Sequence, residues 1–132
     1  MFLNRLEKEE KIAFLELAHY IARSDNDFSK LEENIINEYC IEMQIYNVNF
    51  DENLFDIDKT LSKISDKKSQ KIVLLEVITL IYSDNYLHIG EQKVLDTIVE
   101  KFDIDKTLYV VYTEWAKSIL ALYIQGDALI EL

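Results

Sequence analysis

From Lys67 to Tyr82 the chain reads KKSQKIVLLEVITLIY, and wound as a helix this stretch is apolar on almost every side. Ile72, Val73, Leu74, Leu75, Val77, Ile78, Leu80 and Ile81 leave one main polar strip, Glu76, Thr79 and Ser83, at i, i+3 and i+7. A helix apolar nearly all round is a buried one, so this segment belongs at the centre of a bundle. The composition agrees. With no proline and two glycines among 132 residues there is little material for tight hairpin turns, and an all-β fold is excluded. Nearly half the residues are apolar, 49%, far more than a disordered chain carries. The length suits one domain, residues 1–132, with a real core.

Working outward, the central stretch proves to have a relative. Ile21 to Phe28 aligns with Leu80 to Leu87 at an offset of 59, so that Ser24-Asp25-Asn26 falls on Ser83-Asp84-Asn85 and Glu32 on Glu91. Upstream, Phe14, Leu15, Ala18 and Ile21 meet Val73, Leu74, Val77 and Leu80; downstream, Ile35, Ile36, Tyr39, Cys40 and Met43 meet Val94, Leu95, Ile98, Val99 and Phe102. A second echo follows each unit, because Phe55-Asp56-Ile57-Asp58-Lys59-Thr60-Leu61 recurs verbatim as Phe102 to Leu108. Its offset is 47, which places twelve extra residues in the first unit, around Gln44 to Leu54. Two matches in the same order point to an internal duplication of helix, loop, helix and helix.

Helical spacing extends through the rest of the chain. Phe14, Leu17, Ala18, Ile21 and Ala22 form a stripe over Lys11 to Arg23, with Glu16, Tyr20 and Arg23 opposite. Leu108, Val111, Tyr112, Trp115, Ile119, Leu122 and Tyr123 mark a last long helix at core spacing, with Gly126 as its expected stop. Short helices are expected at Asp58 to Ile64 and Phe2 to Leu6, and a long loop at Gln44 to Asn53. The fold class is therefore all-α, a compact bundle of about seven helices built from two related helix–loop–helix units.

The two Ser-Asp-Asn loops carry the chemistry that the sequence offers. Asp25-Asn26-Asp27-Phe28-Ser29-Lys30-Leu31-Glu32 and Asp84-Asn85-Tyr86-Leu87-His88-Ile89-Gly90-Glu91, each between two apolar helices, resemble the pattern Asp-Gly-x-Ile/Val-Ser-x-x-Glu of the tellurite-resistance TerB-like family. The resemblance covers roughly Glu10 to Trp115, and the two-copy arrangement is also that family's. Asn26 and Asn85 stand where the pattern has glycine, and His88 where it has serine, so the second loop is the poorer copy. The resemblance implies a non-catalytic bacterial stress or tellurite-resistance accessory module whose acidic loops bind a divalent cation. On this chain that reading assigns Asp25, Asp27, Glu32, Asp84 and Glu91 as metal ligands. Hard carboxylate oxygens suit Ca²⁺ or Mg²⁺ better than zinc. An EF-hand is excluded, since counting from Asp25 puts Lys30 and Ile36 at positions that need glycine and glutamate. The same residues support a purely structural account: Ser29-Lys30-Leu31-Glu32 is a capping box for the following helix, which needs no ion.

No catalytic constellation competes. His19 and His88, the only histidines, lack the spacing of a zinc enzyme and read as edge or surface residues. Cys40 lies on an apolar stripe as a buried structural thiol, and Gly90 and Gly126 are too isolated for a phosphate loop. Twenty-five acids against fourteen bases give a net charge of -11, which repels nucleic acid and favours a protein partner with a basic surface. One cysteine, no signal-like start and no span-length apolar run place the chain in the cytoplasm. Two functions remain: the cation-binding accessory module, or a protein–protein interaction module, co-chaperone-like or a signalling scaffold, whose acidic loops are only helix caps. A metal-dependent hydrolase has no general base to work with.

Overall fold

The computed structural model describes residues 1–24, 30–83 and 89–132, and every regular element among them is helical. A 3₁₀ turn at Leu3–Arg5 precedes six α-helices: α1 Lys8–Ala22, α2 Lys30–Met43, α3 Ile57–Ser62, α4 Lys67–Tyr82, α5 Ile89–Lys101 and α6 Lys106–Ile130. The central position of α4 follows from its apolar girdle. It packs against α1, α5, α6 and the 3₁₀ turn, and Val73, Leu74, Val77 and Ile78 have no solvent exposure at all.

Matching ends show how the two halves are built alike. Helix α2 closes at Gln44 (φ 57°) and α5 at Asp103 (φ 52°), 59 positions apart. In the first, the Ile45 amide donates to the Cys40 carbonyl (3.1 Å) and the Gln44 amide to that of Ile41 (3.2 Å). In the second, Ile104 donates to Val99 (3.0 Å) and Asp103 to Glu100 (3.2 Å). Both are Schellman closures, which satisfy carbonyls that the helix end orphans. The hydroxyls of Ser24 and Ser83 likewise donate to the carbonyls of Ile21 and Leu80, and the equivalent residues Ser69 and Glu10 hydrogen-bond to each other at 2.9 Å.

The repeated heptapeptide behaves differently in its two settings. In the first, Asp56 is the N-cap of α3 and accepts from the amides of Asp58 and Lys59. In the second, its counterpart Asp103 is the left-handed residue that closes α5, and the cap moves two places on to Asp105, which accepts from Thr107. The cause is the insertion: α5 runs directly into the heptapeptide, whereas residues 45–54 separate α2 from its copy.

Two expectations need correction. Gly126 does not stop α6; it takes an ordinary negative φ, and the helix continues to Ile130. The face that α6 buries is also not the apolar stripe: Thr113 and Ala116 are its buried residues, while Val111, Trp115, Leu122 and Tyr123 are exposed. The stripe lies roughly a third of a turn away from the side that meets α4.

Candidate functional site

Glu32 and Glu91 are the third residues of α2 and α5, where a carboxylate complements the positive end of the helix dipole. Glu91 is buried and Glu32 half-buried. The remaining loop assignments, Asp25, Asp27 and Asp84, lie outside the described residues, as do Ser29 and His88. Among the described residues no group of three His, Cys, Asp or Glu side chains could hold a metal ion.

His19 is not at the polar edge of its helix. It is buried because the inserted segment folds over α1: the ring stacks on Phe50 at 5.5 Å, and Nε2 lies 2.8 Å from Asn47 Oδ1. Since Asn47 Oδ1 can only accept, Nε2 carries the proton, and Nδ1 is left to accept from Arg23 at 3.5 Å. Burial, with Arg23 beside it, holds the imidazole below its usual value despite the hydrogen bond it donates to Asn47, so the ring stays neutral. Tyr20 against Phe55 at 4.5 Å extends this aromatic cover. Cys40 is half-buried rather than buried, and burial pushes its thiol up, which leaves it a poor nucleophile.

Glu76, on the main polar strip of α4, is 3% exposed and has a specific role. Its Oε1 accepts from the Met1 ammonium (2.9 Å) and from the Phe2 amide (2.8 Å). Glu42 completes the seat, accepting from the same ammonium (3.1 Å) and from the Leu3 amide (3.0 Å). Two carboxylates thus bind the first three nitrogens of the chain and pin the 3₁₀ turn across α2 and α4. Local periodicity cannot find this pair, because Met1 and Glu76 are 75 residues apart.

A further unexplained surface is the C-terminal half of α6. No residue from Ala121 to Ile130 is buried, yet Leu122, Tyr123, Ile124, Leu129 and Ile130 are between 57% and 82% exposed. Ile119, Leu122, Tyr123, Gly126, Asp127 and Ile130 line an open groove of about 360 Å³ along it. Such a continuous apolar surface marks a contact site rather than scattered exposed side chains. Among the described residues no helix is long and apolar enough to cross a membrane. The sequence signal was present in the stripe Leu108 to Tyr123, but it reads as core until the neighbours of α6 are known.

Compared with protein-family models, curated proteins and solved structures, the chain matches none.

Proposed function

We propose that the protein is a non-catalytic accessory module that works by protein contact, with the C-terminal half of α6 as its contact surface. The observation that carries this reading is the helix itself. Residues 121–130 form about three helical turns with no buried side chain, and a helix of that length is marginal in water unless something packs on it. Leaving five large apolar side chains in water also forgoes the burial energy that drives association. The test replaces Leu122 and Ile130 together by glutamate, in cells that make the chain. In extracts the unmodified chain should run well above its own 15.6 kDa, and the double variant should fall to that mass. An identical profile for both would overturn the reading.

The TerB-like resemblance of the paired loops supports a stress-response setting for such a module, and it adds a second element, Ca²⁺ or Mg²⁺ held at Asp25, Asp27, Glu32, Asp84 and Glu91. A repeated acidic loop entering two equivalent helices favours it. If the loops bind an ion, melting temperature should rise with millimolar Ca²⁺ or Mg²⁺, since binding to the native state alone adds RT ln(1 + [L]/Kd) of stability. Asp25→Asn should then flatten that rise, whereas under simple capping it should matter little, because asparagine caps about as well as aspartate. A flat line for the unmodified chain in thermal melts leaves the loops as helix caps.

A further inference from the structure

The side of α6 away from Thr113 and Ala116 has a repeat finer than general apolarity. It runs from the partly buried Leu108 and Tyr112 and from Trp115, whose ring lies 6.0 Å from Phe2, to the exposed C-terminal end. Leu108, Tyr112, Trp115, Ile119, Leu122, Gly126 and Leu129 are separated by four, three, four, three, four and three residues. That 3.5-residue period is the seam of a coiled coil, and it is distinct from the Thr113 and Ala116 face that meets α4. We infer that a second copy of this chain covers the seam, with the two α6 helices antiparallel. The inference rests on the contact-surface reading above and names its occupant.

Three features select a second copy. First, the seam is self-complementary in volume. In an antiparallel pair with Ile119 against Leu122, the layers on either side set Trp115 against Gly126 and Tyr112 against Leu129, and each layer occurs twice by symmetry. The one tryptophan of the chain thereby meets a glycine. A parallel pair would set tryptophan on tryptophan and leave glycine facing glycine. Nothing within the single chain asks for this glycine, because a Cβ built on Gly126 meets no atom within 4 Å and its φ is ordinary. A glycine inside a helix costs stability relative to alanine, and close approach of another backbone is what it provides in return.

Second, the seam is uncharged. Of the positions flanking it, the exposed Val111, Ser118, Tyr123, Gln125 and Ile130 carry no charge, in a chain of which 30% is charged. Glu114 and Lys117 lie away from the seam, and Asp127, next to Gly126, is the one charged residue that lines the groove. Two chains of net charge -11 can therefore meet here with a single groove-lining carboxylate per chain, Asp127, and a basic partner would find only that one to pair with. Third, Trp115, Leu122, Tyr123, Leu129 and Ile130, between 37% and 82% exposed, lie on one side of the helix, so a single partner helix would cover them together. Antiparallel pairing also lays each projecting end against the other copy's body and opposes the helix dipoles.

Sedimentation of the purified chain alone, from about 1 to 200 µM in about 50 and 500 mM NaCl, tests this. The chain should dimerise, and more tightly at high salt, where the mutual repulsion of two acidic bodies is screened. Gly126→Leu should weaken association tenfold or more and, at a concentration where the parent is also monomeric, should match the parent's helical signal and melting temperature, since the added side chain meets open space within its own chain. Trp115→Ala in the Gly126→Leu background should restore pairing. Should Gly126→Leu fail to fold, Leu122→Glu takes its place, with the same loss expected. A chain that stays monomeric throughout, or a Gly126→Leu variant that pairs as well as the parent, would overturn the inference. A monomeric result with a high-mass complex in extracts would overturn only self-pairing and leave the contact surface for a different protein.

Discussion

Replacing Ile78 by alanine should cost about 2–5 kcal/mol in a denaturant melt, a large share of what holds a domain of this size together. Ile78 has no exposure and lies in the C-terminal half of α4, the helix that α1, α5 and α6 all contact. Removing its outer carbons forfeits their transfer energy and leaves a cavity that rigid neighbours, among them Leu74 and Leu95 of the same core, cannot fully close. The control is on the same chain: Ile124, 57% exposed on the projecting end of α6, should change stability by less than about 0.5 kcal/mol when truncated. A small loss at Ile78 would show that α4 is peripheral and would undo the architecture described above.

That contrast also shows what can be read from residues and what cannot. The period of α4 was decisive because a helix with aliphatic side chains on all sides has only one stable location. The helix-closing bonds at Gln44 and Asp103 repeat at the same offset of 59 as the sequence match. The heptapeptide shows the limit of such matching, since identical residues cap different positions once one copy follows a helix directly. On α6, hydrophobic spacing marked a face that must be covered, but spacing does not distinguish a core from a partner. His19 was misplaced because its cover, Asn47 and Phe50, comes from the insertion that the other half lacks. Of the assigned loop ligands, Glu32 and Glu91 were legible as first-turn acids, and Asp25, Asp27 and Asp84 lie outside the described residues.

Glu76→Ala should be the most costly change of a charged residue, about 3 kcal/mol at neutral pH, because it leaves the Met1 ammonium and the Phe2 amide without their shared acceptor. Glu76→Gln keeps an oxygen for the amide and loses the charge, so about 2 kcal/mol is expected, the worth of a charge-assisted hydrogen bond. The pH dependence separates this role from simple packing. Burial alone would lower the ammonium's value, but the hydrogen bonds and charges of Glu76 and Glu42 outweigh it and raise the group above its usual 8.0. A group raised in the folded state contributes its full stability below its unfolded value, and that contribution disappears as pH climbs through the folded one. The unmodified chain should therefore begin to lose stability above about pH 8, where unfolding releases the proton that the seat retains. Tyr39 acts later: burial, then the nearby Glu76 and Glu42, push its phenol far up, so its contribution is lost only above about pH 10. Thermal melts at pH 7, 8, 9 and 10 should show the parent declining from pH 8 onward and Glu76→Gln flatter up to pH 10, with the two curves converging. Parallel curves would mean that Glu76 contributes only its volume, and that Met1 is held by Glu42 alone.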